Sequence, residues 1–118
     1  MKDIFQALAR YNGSVNQSIV ELLKPLEKEK IMMKTKAYYP SIFETLLHNL
    51  IGDLNWLKRY KDVFKESNVL TNSKLMSSEE KSLRKEFESD YTKLFQYRKQ
   101  TDDVILQFVN EVDEDRFN

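Results

Sequence analysis

The 118-residue chain contains no cysteine. That removes disulfides, a thiol nucleophile and any thiolate metal site, and it fits a reducing cytoplasm. Glycine and proline number two each, which suits long helices with few tight turns. Two glycines also leave no Gly-rich loop to cradle a phosphate. There is one histidine, His48. A ferritin-like di-metal site needs two E-x-x-H motifs, so it is excluded. A Ser-His-Asp triad would have to use His48, and no nucleophile elbow accompanies it. Net charge is zero, with 19 Lys and Arg against 19 Asp and Glu, so there is no basic footprint for nucleic acid. No apolar run approaches the ~20 residues that cross a bilayer. Met1 to Ala9 is amphipathic where a signal peptide would be basic and then apolar. The chain is therefore expected to be cytoplasmic, with neither a nucleic-acid nor a membrane partner.

What is present is helical periodicity. Hydrophobic residues make up 41% and charged residues 32%, the balance of one globular domain over residues 1–118. Ile4, Leu8, Tyr11, Val15, Ile19, Leu22 and Leu26 recur at steps of three and four, which predicts a first helix from Lys2 to about Leu23 with this stripe as its core face. Asn12 and Asn16 lie on or beside the stripe. Two amides there need partners, so they bridge to a neighbouring helix or line a wet pocket. Pro25 removes a backbone donor and ends or kinks the helix near Lys24. Glu27 to Lys30 continues as a separate turn. Ile31 to Tyr39 reads as a connection across the bundle end, with Tyr38 and Tyr39 covering the core.

Ser41 and Glu44 form an S-x-x-E capping box after Pro40. The second helix then buries Phe43, Leu46, Leu47, Leu50, Ile51, Leu54 and Leu57 and fades around Phe64 to Ser67. Gly52 inside it marks close approach of another helix. His48 lies on the flank of the apolar stripe, and Glu44 and Asn55 share its side. The residues alone leave two readings: a half-buried histidine paired with Glu44, or a metal ligand. Trp56 points the other way, as a packing residue or as a contact to a second copy. Glu66 to Ser77 reads as a polar loop. Ser77 with Glu80 looks like another capping box, opening a third helix of about thirty residues, or roughly 45 Å at 1.5 Å per residue. Its stripe is Leu83, Phe87, Tyr91, Leu94, Tyr97 or Arg98, Thr101, Ile105, Phe108 and Val112. Phe95, Val104, Leu106 and Val109 lie off that stripe. The fold class is all-α, an up-and-down bundle of three long helices, and the wide apolar surface of the third predicts a homodimer or a further helix.

Three segments carry a family likeness. Tyr11-Asn12 with Asn16 gives a Y-N-x-x-x-N pattern. Tyr39-Pro40-Ser41-Ile42 leads into Thr45-Leu46-Leu47-His48. His48, Asp53, Trp56 and Arg59 form H-x4-D-x2-W-x2-R, and Asp102 or Asp103 before Ile105 matches loosely. Together they resemble the DinB-like family. The resemblance implies a four-helix bundle, usually dimeric. It also implies a divalent metal, nickel or zinc, held by one histidine of the second helix and an H-x3-H motif of the fourth. His48 is then the candidate metal ligand, and relatives include thiol-dependent transferases. One imidazole cannot build a three-imidazole site, and a symmetric dimer supplies two. The chain is therefore expected to bind no metal by itself and to act as a scaffold or binding module of that family. The alternatives are a metal-dependent thiol transferase or hydrolase whose other histidines lie beyond residue 118, and an unrelated helical interaction module.

Overall fold

A computed structural model describes residues 1–117. Its α-helices are α1 (Lys2–Leu23), α2 (Lys28–Met32), α3 (Ile42–Val63), α4 (Asn68–Asn72), α5 (Glu80–Ser89) and α6 (Thr92–Glu111). Two 3-10 turns, Lys74–Ser77 and Glu114–Phe117, complete the order. No strand is present among the described residues.

The expected boundaries of α1 and α3 hold, and their causes are visible. The last turn of α1 closes with Lys24 N–H on the carbonyl of Val20, just before Pro25. The Ser41 hydroxyl accepts from Glu44 N–H at 3.0 Å and caps α3. Glu44 does not reach back to the cap. Its carboxylate takes Arg84 of α5 in two bonds of 2.5 and 3.0 Å. The second expected capping box does not form: Ser77 Oγ donates to the Lys74 carbonyl, and Glu79 precedes α5 without a side-chain cap. The stretch read as a polar loop holds α4, which drives Leu70 fully into the core.

The expected thirty-residue third helix is two helices. Asp90 has extended backbone, φ −146° and ψ 96°. Its Oδ1 accepts from Thr92 N–H at 3.1 Å and from Thr92 Oγ at 2.5 Å, so the side chain starts α6 where the α5 ladder stops. The chain then doubles back. Phe87 and Tyr97 rings stand 5.1 Å apart, whereas ten residues of continuous helix span about 15 Å. Lys93 likewise reaches Glu86.

Helix directions follow from the cross-links. Lys2 bonds the Asn110 carbonyl and Asn16 bonds Asp102, so α1 and α6 are antiparallel. Asp53 meets Arg98 and Tyr60 stacks on Phe108, so α3 and α6 are parallel. The four longer helices thus run up, down, up, down, with α6 packed against α1, α3, α4 and α5. Of the extra apolar face of α6, Phe95 is buried, while Val104, Leu106 and Val109 are partly covered by neighbours.

The core forms two apolar clusters. The larger joins Val20, Ile31, Phe43, Leu47, Leu50, Leu54, Leu83, Phe87 and Leu94. The smaller joins Leu57, Leu70, Phe108 and Val112. Two expectations fail at the periphery. Tyr38 covers nothing, being 92% exposed, while Ile31 is the buried residue of that connection. Gly52 faces no close neighbour: an added Cβ would meet nothing within 4 Å. Gly52→Ala should therefore raise stability by about 0.5–1 kcal/mol, through helix propensity alone, in a urea denaturation series.

Candidate functional site

The largest departure from the sequence reading lies on α1. Its apolar stripe does not face the core. Ile4, Leu8, Tyr11, Val15, Ile19 and Leu22 are all exposed, Tyr11 to 70% and Leu22 to 77%. The face turned to α6 instead carries Ala9, Asn12, Gly13, Asn16 and Val20. The physical reason is a polar layer on α6 between the two apolar clusters. Asp102 is 6% exposed there and takes Asn12 Nδ2 at 3.3 Å on Oδ1 and Asn16 Nδ2 on both oxygens, at 3.2 and 3.1 Å. The two amides bridge helices, one of their two expected roles. Turning the apolar stripe inward would strip those donors from a buried carboxylate.

One guanidinium holds the layer together. Arg98 Nη2 donates to Asp102 Oδ1 and to Asp53 Oδ2, each at 2.6 Å. Its side chain is 8% exposed, that of Asp102 6% and that of Asp53 37%. Burial pushes the Asp102 carboxyl above the usual aspartate range, and the Arg98 charge pulls the other way. Arg98 Nε and Thr101 Oγ1 are buried without a protein partner. Sequence reasoning placed Arg98 only as one of two stripe positions. The signal for it was indirect: the asparagine amides needed an acceptor, Asp102 supplied it, and a cation had to answer Asp53 and Asp102.

Beside this layer α1 and α3 splay and leave an apolar groove of about 460 Å³. Phe5, Trp56, Tyr60, Phe64 and Phe108 wall it, with Asn12 and Asp53 as its polar members. Trp56 is 54% exposed, and the Arg59 guanidinium rests on its ring at 4.9 Å.

His48 lies apart from this. It is exposed and stacks on Tyr39 at 4.4 Å. The expected pairing with Glu44 is absent, because Arg84 holds that carboxylate. Among the described residues no three His, Cys, Asp or Glu side chains gather so as to hold a metal ion. The donors present around His48 therefore do not fit the three-imidazole centre that the family likeness implied. No helix among the described residues is long and apolar enough to cross a membrane.

An antiparallel helical bundle, with an Asp–Arg–Asp layer at mid-height and an apolar groove beside it, defines the class of protein. Comparison with known sequences makes the class specific: the chain belongs to the DinB family, whose model matches residues 1–117. It is similar to Protein DinB of Bacillus subtilis (strain 168), 36% identical over 58 residues, which is 49% of this chain and 34% of that protein. The match thus spans about a third of the relative's length. No solved structure matches.

Proposed function

We propose that this DinB-family chain is a binding module that works through self-association of α1, as a homodimer, and that His48 does not serve a metal centre within the chain. The observation that carries the reading is the α1 stripe. Ile4 to Leu22 lines up six exposed apolar side chains. Between them lie only Ala7, Ser14 and Ser18, small and uncharged, on the same side of the helix. The strip from Ile4 to Leu22 is about 27 Å long and ~10 Å wide, a contiguous apolar patch of a few hundred Å². A face without charge fits another face without charge, and a two-fold axis supplies one from a second copy.

Light scattering should give twice the 14.1 kDa chain mass. Tyr11→Glu should give a monomer, with self-association at least ~100-fold weaker because a carboxylate would be buried unpaired. Its far-ultraviolet circular dichroism should be unchanged, since Tyr11 is 70% exposed. A wild-type monomer at micromolar concentration refutes the reading. Zinc or nickel binding tightly at one per chain, and lost in His48→Ala, would restore a metal-dependent activity for this chain.

A further inference from the structure

The groove between α1 and α3 shares Leu8 with the α1 stripe, but Asp53, Trp56, Tyr60 and Phe108, which set its chemistry, lie on other helices. Asp53 is the one charged residue among those lining it. Arg98 is the only cation paired with Asp53 and Asp102 among the described residues, so two carboxylates share one guanidinium. Asp53 spends Oδ2 on Arg98, has no donor on Oδ1, and remains 37% exposed where it lines the groove. Asn12 spends one amide hydrogen on Asp102 and leaves its carbonyl oxygen free. The polar members of the groove therefore offer acceptors and negative charge.

The walls offer aromatic faces. Trp56, Tyr60 and Phe108 line one run of the groove, Tyr60 standing 6.0 Å from Trp56 and 5.8 Å from Phe108. Phe5 closes it from α1. Ring faces carry the negative end of the aromatic quadrupole, which attracts cations and most strongly those that shed water easily. Arg59, already seated on Trp56, does not line the groove. A volume of about 460 Å³ lies within the range of small-molecule sites.

We propose that this groove binds an organic monocation: a tertiary or quaternary ammonium head against Asp53 and the Trp56 and Tyr60 rings, with an aromatic or short aliphatic body along the apolar wall. An anion meets the carboxylate excess, and a neutral ligand leaves it unanswered.

The test uses the whole chain and benzyltrimethylammonium as probe, followed by titration calorimetry and by fluorescence of Trp56, the only tryptophan. Saturable one-to-one binding is expected. N-benzylacetamide, neutral and of similar size, and phenylacetate should bind at least tenfold more weakly. Asp53→Asn should weaken binding of the cation at least tenfold. Because that variant also loosens Arg98, Trp56→Leu at a half-exposed site gives an independent check by calorimetry, with a loss of at least threefold. No saturation with the cation, a neutral amide binding within tenfold of it, or a folded variant that binds like wild type overturns the proposal. Failure here leaves the dimer standing, and a monomer that binds the cation removes only the dimer.

Discussion

Arg98→Met should destabilise the bundle by about 3–5 kcal/mol, the usual cost of removing one partner from a buried charge cluster. The substitution keeps length and apolar volume, so the loss reports charge. It leaves Asp102, 6% exposed, with only the asparagine amides, and Asp53 with no partner. The pH dependence has a definite sign. Burial already holds the Asp102 carboxyl above its ordinary value of 3.8, against the pull of Arg98. Without Arg98 it rises further. Between the ordinary and the raised value the native chain holds a proton that the unfolded chain has lost, so stability falls as pH climbs through that window. The penalty of Arg98→Met should thus be largest at neutral pH and shrink as pH falls toward that of a free aspartate. Adding Asp102→Leu should recover part of the loss, because the unpaired buried charge goes with it. Urea midpoints at pH 7 and pH 5 measure both effects. A loss under about 1 kcal/mol at pH 7 would mean that water reaches the layer and the ion pairs act as surface ones.

Phe87→Ala should cost about 3–5 kcal/mol, the range for emptying a buried phenylalanine site. Phe87 is fully buried in the larger cluster, with the Tyr97 ring edge-on at 5.1 Å. That contact exists only because the chain reverses at Asp90. A double-mutant cycle of Phe87→Ala with Tyr97→Leu isolates it and should show a coupling of about 0.5–1.5 kcal/mol. Additive losses would place the rings apart, as in one continuous helix.

That reversal shows where sequence reading stopped. The stripe positions Leu83, Phe87, Tyr91, Leu94 and Arg98 run in helical phase straight through Asp90, because both arms of the hairpin bury a face of the same pitch. Periodicity carries no direction. The break was written only in Asp90 and Thr92, whose side chains compete locally with the helix ladder. The start of α3 was legible, since Ser41 is a capping residue with a local physical effect. The same limit inverted α1. A stripe at three and four says which face is apolar, and the identity of the buried face was decided by Asp102 on a helix about ninety positions away. Asn12 and Asn16 announced that amides needed partners. They did not say that Asp53 would meet the same guanidinium. The apolar excess read on α6 turned out to lie on α1, so the argument for a second copy survives on a different helix.

The claim that the α1 stripe faces another copy of itself is tested most directly by single-cysteine crosslinking. The native chain has no cysteine, so each introduced thiol reports only on its own neighbourhood. Substituting cysteine in turn for Ile4, Leu8, Tyr11, Val15, Ile19 and Leu22, then oxidising mildly, should give rapid covalent dimer at one or two adjacent stripe positions, near the two-fold axis. Lys85→Cys, exposed on α5, should stay monomeric. Slow, uniform crosslinking at every position, Lys85→Cys included, would mean random collision and contradict the account.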